Sequence, residues 1–184
     1  MKKSVALSSH WKPVVTAACL LAVVFALLLA GPASADYTWT PTGGPGAGAG
    51  NGVVCCVPDG TGANLFVGDM TAGKVWRYDI AGGTWTDWPG LGGGWVRGLA
   101  FDPGHGTSGT LYAGTADGRV FANSDPMGSG TFGSLDNLGA GVMCLFYAGG
   151  PNVLFAGTQD GKVYERPDST GVWSLTGSPG GGGP

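Results

Sequence analysis

The sequence contains little of the chemistry on which enzymes and nucleic-acid-binding proteins depend. Of its 184 residues only 11% are charged, and nine lysines and arginines stand against twelve acidic residues. Histidine occurs twice, and only His105 lies beyond the first 35 residues. A surface with so few cations repels phosphate groups, so we expect neither nucleic acid nor anionic lipid as a partner.

The cysteines lack the spacing of a redox or metal centre. Three of the four, Cys55, Cys56 and Cys144, lie beyond the leader, with no Cys-x-x-Cys pair and no histidine beside them. Three cysteines cannot all pair within one chain, and two adjacent ones permit only a strained vicinal disulfide or two separate thiols. We predict that these residues act as small buried hydrophobic side chains in strands.

One long hydrophobic run is present, and it lies at the N-terminus. A leader containing Lys2, Lys3 and Lys12 precedes an apolar stretch from residue 14 to 30, and Ala33-Ser34-Ala35 follows shortly after it. This pattern predicts a cleaved signal peptide over residues 1–35 and a secreted, periplasmic or extracellular protein without membrane contact. An uncleaved anchor is the alternative. Cleavage leaves six basic and twelve acidic residues, a net charge of about −6.

An internal repeat occupies most of the remaining chain. Leu65-Phe66-Val67-Gly68 recurs at residues 111–114 and 154–157, and the aromatic residue after leucine advances by 46 and then 43 positions. Each copy is followed by glycine, a basic residue, valine and an aromatic residue. A period of this length is typical of four-stranded propeller blades.

Each repeat extends outward into four short apolar segments. The expected fold is therefore all-β, a β-propeller-like array of three four-stranded antiparallel blades at about 53–90, 95–139 and 141–177. The fourth strands are predicted at 84–86, 131–133 and 172–174, each containing an aromatic residue. Asp117-Gly118 and Asp160-Gly161 predict two-residue hairpins with positive φ at both positions.

An extra segment precedes the first repeat. Thr38-Trp39-Thr40 resembles Thr84-Trp85-Thr86 and predicts one extra N-terminal strand within residues 36–52, which also include a Gly-rich linker; a Gly/Pro-rich tail follows at 178–184. Because closed propellers usually need at least four blades, we expect a fragment of a longer propeller. A homo-oligomer that completes the ring and an open arc are the alternatives.

The repeats resemble those of a known group of propellers. Residues 111–121 and 154–164 are similar to blades of the Asp-box or BNR group, which includes sialidase-like and sortilin-like proteins and falls under the WD40/YVTN-like propellers. Residues 78–85, 124–132 and 168–173 resemble degenerate Asp boxes, which in that group stabilise turns. The resemblance implies the fold. The arginine cluster, tyrosine and acidic residues of its glycosidases are not matched here.

No set of residues predicts catalysis, a cofactor site or a metal site. His105 has no second histidine and is flanked by glycines, so we interpret it as a loop residue. The aspartates are interpreted as turn formers, among them Asp69, Asp117, Asp125, Asp160 and Asp168.

A binding role is better supported. Trp95 and Arg97 are predicted on one propeller rim beside the turns of Asp117 and Asp160, where an aromatic side chain next to an arginine suits a glycan or peptide. Packing of Trp95 between blades is the alternative. The favoured hypothesis is a secreted non-catalytic module that binds or scaffolds an unknown protein or glycan. The alternatives are a truncated sialidase-like hydrolase and a lectin-type propeller assembled from several chains.

Overall fold

A computed structural model of the chain describes residues 52–179 and Gly44. Twelve strands are present in residues 52–179, and no helix long and apolar enough to cross a membrane lies in this part. The predicted signal peptide, its anchor alternative, the extra strand at Trp39 and most of the Gly-rich linker and tail lie outside the described residues. In chain order the strands are β1 Val53–Pro58, β2 Asn64–Asp69, β3 Val75–Asp79, β4 Thr84–Asp87, β5 Val96–Asp102, β6 Thr110–Thr115, β7 Arg119–Asn123, β8 Gly133–Asn137, β9 Val142–Ala148, β10 Val153–Thr158, β11 Val163–Pro167 and β12 Ser174–Gly177.

The strands form three four-stranded antiparallel sheets, each built from four consecutive strands. Equivalent residues of the repeats have equivalent partners: Val67 pairs with Trp76, Ala113 with Phe121 and Ala156 with Tyr164. The first strands, β1, β5 and β9, pack side by side. The predicted all-β array of three blades is confirmed.

Two of the fourth strands begin later than the sequence predicts. β8 starts at Gly133 and β12 at Ser174, so Phe132 and Trp173 precede their strands. Phe132 contacts the buried Trp88 edge to face, with ring centres 5.8 Å apart. Trp173 packs against the core between the second and third sheets. These aromatic residues therefore anchor the chain as it enters the outer strand.

The turns between second and third strands also differ from the prediction. Only Gly118 and Gly161 have positive φ, at 93° and 79°, whereas Asp117 and Asp160 do not. Four residues connect β10 and β11, whereas three connect β6 and β7, where the N–H of Gly118 donates to the carbonyl of Thr115 at 3.1 Å. This is the three-residue hairpin in which a type I turn is followed by a left-handed glycine. The prediction of two-residue loops was therefore wrong for both turns.

Two hydrophobic cores join neighbouring sheets. Phe66 and Val75 of the first sheet pack against Val96, Leu99 and Leu111 of the second. On its opposite face the second sheet uses Tyr112 and Val120 to contact the third, which contributes Val142, Leu145 and Leu154. The inner strands of the second sheet, β5 and β6, are buried between the two other sheets, so both of their faces are largely apolar.

The cysteines correct another prediction. Cys56 and Cys144 are exposed, and Cys55, which is partly buried, packs against the first core; all three are free thiols. Cys55 and Cys56 point to opposite faces of β1 because successive strand residues alternate. The prediction of three buried cysteines is therefore wrong for Cys56 and Cys144.

Candidate functional site

The loops of the three sheets form two rims. The Trp95 rim contains the segments that lead into β5 and β9 and the turns between second and third strands. The N–H of Ala116 donates to the carbonyl of Trp95 at 2.9 Å, and that of Gln159 donates to Gly141 at 2.8 Å. The His105 rim contains the loops after first and third strands, where Asp168 N–H donates to Asn152 at 3.0 Å.

On the Trp95 rim, the structure brings two of the predicted site residues together. The guanidinium carbon of Arg97 lies 5.2 Å from the centre of the Trp95 ring, and Trp95 is 44% exposed. Arg97 also donates to Oε1 of Gln159 at 3.2 Å and reaches the sulfur of Met143. The side chain therefore links the second sheet to the third. The alternative of Trp95 buried between blades is wrong.

The other two predicted site residues, Asp117 and Asp160, interact with residues of their own turns. Asp117 accepts a hydrogen bond from the Thr115 hydroxyl at 2.7 Å and pairs with Arg119 at 3.3 Å. In the third sheet, Asp160 accepts from the Thr158 hydroxyl at 2.6 Å and pairs with Lys162 at 2.7 Å. The Lys162 ammonium and the Thr158 hydroxyl lower the pKa of Asp160. Both aspartates are turn formers, as the sequence predicts.

These ion pairs leave Arg97 as an uncompensated cation on the Trp95 rim. In residues 52–179 no carboxylate forms an ion pair with Arg97, whose partners are a neutral amide, a sulfur atom and an aromatic ring. An exposed aromatic ring beside an unpaired guanidinium suits a ligand that offers a carboxylate next to an apolar group. We name Trp95, Arg97, Met143 and Gln159 the rim patch.

The His105 rim has a cleft of about 660 Å³ between the first and second sheets. Phe101, Pro103 and Met127 form apolar parts of its wall, and Arg77 lies among them. Arg77 donates to the carbonyl of Met127 at 2.7 Å, which ties the two sheets together. Asp59 also lines the cleft, and its carboxylate accepts hydrogen bonds from the side chains of Thr61 and Asn64. The cleft is thus a groove between two sheets, and Arg77 and Asp59 in its wall form hydrogen bonds within the protein.

A second feature of this rim lies between the second and third sheets. The carboxylate of Asp102 contacts Nδ1 of His105, and a carboxylate oxygen of Asp168 lies 3.5 Å from the same nitrogen. The Tyr147 hydroxyl donates to Asp168 at 2.6 Å and lies 3.4 Å from His105 Nδ1. His105 lies in a loop, as the sequence predicts, but its ring contacts side chains of the second and third sheets. We name these four residues the His105 cluster.

The cluster creates a negative, partly desolvated environment for nearby tyrosines. Burial raises the pKa of Tyr112 to about 12, and the charges of Asp168 and Asp102 add to the effect. Burial and the hydrogen bond to Asp168 also raise the pKa of Tyr147. Both hydroxyls stay protonated at neutral pH, so Tyr147 acts as a hydrogen-bond donor to Asp168. Asp168 is consequently more than the turn former that the sequence predicts.

Solved structures share this arrangement of sheets. The chain superposes on a structure in the mitotic checkpoint complex with a TM-score of 0.64 and 19% identity, covering 78% of this chain and 43% of the other. The WD40 repeats of RRP9 match with a TM-score of 0.57, 19% identity and coverage of 67% and 36%. U3-55K matches at 0.56, with 12% identity and coverage of 69% and 39%. The fold is a WD40-like β-propeller.

The likeness to WD40-like propellers is one of fold. No protein-family model matches the chain, and no curated protein matches it. The chain spans less than half the length of the solved structures above. Within the WD40-like plan, the rim patch and the His105 cluster lie at opposite rims, each at the junction of the second and third sheets.

Sequence reasoning missed Gln159, Met143 and the His105 cluster. Gln159 and Met143 belong to a different repeat from Arg97, and no local pattern connects them. Asp102 and His105 are three residues apart, so their spacing was visible. Asp168, by contrast, comes from a loop of the third sheet, and only the packing of sheets brings it to the histidine.

Proposed function

We propose that the chain is a secreted, non-catalytic binding module whose rim patch recognises an acidic, partly apolar segment of a partner protein. The observation that supports this most directly is the stacking of Arg97 on the exposed Trp95, together with the absence of a carboxylate partner for Arg97 among the described residues. WD40-like neighbours support a scaffold or binding module in general. The choice of partner chemistry rests on the rim patch alone.

The composition of the patch suits protein recognition. Tryptophan and arginine are enriched among the residues that contribute most to protein–protein binding. Arg97 donates a hydrogen bond to Gln159, which restricts the arginine side chain before any ligand binds. The side chain therefore loses less conformational entropy on binding. A carboxylate of the partner would pair with the guanidinium, and an adjacent apolar group would cover the indole.

Binding of nucleic acid is not part of the proposal. The predicted mature chain carries about six more negative than positive charges. The cations at the two neighbouring turns, Arg119 and Lys162, are paired with Asp117 and Asp160. Within the described part of the chain, this rim offers one guanidinium without a carboxylate partner, whereas a phosphate backbone would need a continuous basic surface.

Selection of peptides on the immobilised chain tests the proposal. We expect a phage-displayed library of random twelve-residue peptides to yield sequences that combine aspartate or glutamate with apolar residues. Their affinities would be measured by fluorescence polarisation at low and moderate salt. Trp95→Ala should weaken binding by about 30-fold, the effect of losing a hot-spot residue. Arg97→Gln should weaken it and remove most of the salt dependence.

A matched control is available on the opposite rim. Ile80 is 51% exposed in the loop after β3, so Ile80→Ala removes exposed apolar surface away from the patch. Its effect on peptide affinity should be within twofold. Selected peptides that bind Trp95→Ala and Arg97→Gln as well as the unchanged chain would contradict the proposal. Recovery of glycans but no peptides, on a glycan array run in parallel, would replace the protein partner with a carbohydrate.

A further inference from the structure

The His105 cluster joins four side chains from separate parts of the fold. Asp102 ends β5, His105 lies in the next loop, Tyr147 belongs to β9 and Asp168 follows β11. The ring nitrogen of His105 and one oxygen from each aspartate lie within 4.8 Å of one another. Asp102 is only 3% exposed, Asp168 is 18% exposed and His105 is 48% exposed, so the cluster is buried on one side and open on the other.

The contacts within the cluster are not those of a closed hydrogen-bond network. Three oxygen atoms, from Asp102, Asp168 and Tyr147, surround Nδ1 of His105. One ring nitrogen carries at most one proton and can satisfy only one of them. In residues 52–179, no lysine or arginine forms an ion pair with Asp102 or Asp168. Two carboxylates thus converge on one imidazole nitrogen, and neither has a lysine or arginine partner within these residues.

Comparison within the repeat shows that this arrangement is not a requirement of the fold. Asp59, the residue after β1, corresponds in the first sheet to Asp102, the last residue of β5 in the second. Its carboxylate accepts hydrogen bonds from Thr61, Asn64 and the Ala63 N–H, all in its own loop. Asp102 uses one oxygen in this way, toward the Gly104 N–H, and directs the other to the cluster.

We propose that Asp102, His105 and Asp168 bind a divalent transition-metal ion of the Zn²⁺ type. Two carboxylate oxygens and one imidazole nitrogen are donors that Zn²⁺ accepts. The 3.5 Å between His105 Nδ1 and Asp168 Oδ2 is long for a hydrogen bond but close to the ligand separation of roughly 3.4 Å in a tetrahedral site with bonds of about 2.1 Å. Water completes the coordination from the open side.

Tyr147 has a supporting role in this site. Its hydroxyl donates to the same Asp168 oxygen at 2.6 Å and thereby fixes the orientation of the carboxylate. Hydrogen bonds of this type to metal ligands commonly alter metal affinity by about 10-fold to 100-fold. Because the ligands come from two sheets, a bound ion would also link the second blade to the third.

Titration of the purified full chain with ZnCl₂ tests the proposal. Isothermal calorimetry should give one ion per chain, and the melting temperature should rise with free Zn²⁺. His105→Ala and Asp168→Asn should each weaken binding at least tenfold, and Tyr147→Phe by a smaller factor. Both ligand positions are partly exposed, so these variants should fold; circular dichroism would check this. Asp160→Asn, on the opposite rim, is the matched control and should bind as the unchanged chain does.

The exposed thiols of Cys56 and Cys144 are the competing zinc donors, so a Cys56→Ser/Cys144→Ser chain should be titrated in parallel. Retention of one site in this chain supports the proposal. Loss of binding there, with His105→Ala and Asp168→Asn unaffected, would overturn it. So would the absence of saturable binding up to 1 mM ZnCl₂, about the weakest affinity expected of an extracellular metal site. With Co²⁺ in place of Zn²⁺, the visible spectrum should change between the unchanged chain and His105→Ala.

Discussion

Arg97 stacks on Trp95 across the surface of the second sheet, with 5.2 Å between the guanidinium carbon and the ring centre. The same arginine donates to Gln159 of the third sheet. A side chain so fixed presents its charge in a defined position, while 44% of the Trp95 surface stays in solvent. Trp95 is therefore a surface residue rather than a core residue, and the first prediction concerns its contribution to stability.

Two tryptophans that lie close together in the sequence, Trp88 and Trp95, should differ sharply in their effect on stability. Trp88 is 8% exposed, donates to the carbonyl of Gly130 at 3.0 Å and contacts Phe66 and Phe132. Trp88→Ala should lower the free energy of unfolding by about 3–5 kcal/mol because it leaves a cavity. Trp95→Ala should change it by about 0.5 kcal/mol or less. Urea unfolding followed by circular dichroism measures both; equal losses would contradict the assignment.

The close approach of the second and third sheets depends on Gly98. A Cβ atom at this position would lie 2.8 Å from the backbone nitrogen of Leu145. Backbone atoms cannot move aside as a flexible side chain can, so Gly98→Ala should cost about 1–3 kcal/mol. Gly150→Ala is the control, since its Cβ would meet nothing within 4 Å. Thermal unfolding of the two variants should show a lower melting temperature for Gly98→Ala alone.

The three described thiols should react at different rates. Burial raises the pKa of Cys55 to about 12, so almost none of it is thiolate at neutral pH. Cys56 and Cys144 are exposed and should be modified first by a thiol reagent at pH 8. Mass spectrometry of peptides after brief treatment with iodoacetamide would assign each site. Rapid labelling of Cys55 in the folded chain would contradict its buried position.

Asp59 should make stability depend on pH in the acidic range. Burial disfavours its charged form, but hydrogen bonds from Asn64 and Thr61 outweigh this effect and lower its pKa. A lowered pKa in the folded state stabilises the fold above the unfolded-state pKa, and the contribution disappears as the pH falls through the folded value. Asp59→Asn should therefore cost about 1–3 kcal/mol at pH 7.

The difference between Asp59→Asn and the unchanged chain should narrow as the pH falls below about 4, near the unfolded-state pKa. Urea unfolding at pH 7 and at acidic pH measures it. Asp136→Asn is the control because Asp136 lies exposed on the outer strand β8. A pH-independent difference between Asp59→Asn and the unchanged chain would show that the carboxylate charge contributes nothing.

Much of the fold was predictable because its determinants are local. Val75 and Arg77 share one face of β3 by strand alternation, and the structure places both toward the second sheet. Errors arose where a tertiary contact overrode a local pattern. The fourth strand of the second sheet starts after Phe132 because the ring packs on Trp88. Cys144 was predicted in the core because it lies in an apolar strand segment. The sequence does not show whether a neighbouring sheet covers its face of β9, and in the structure this side chain is exposed.

Only part of each candidate site was predictable, because some of its residues meet through the packing of sheets. The sequence placed Trp95 and Arg97 next to each other and on a rim, since alternating antiparallel strands return every second loop to the same side. It determined by itself the repeat, the all-β class and the four-strand blade plan. The tertiary structure alone decided that Arg97 meets Gln159, 62 residues away, and that Asp168 faces His105. Strand period and turn chemistry act over a few residues, whereas the meeting of two loops depends on how whole sheets pack.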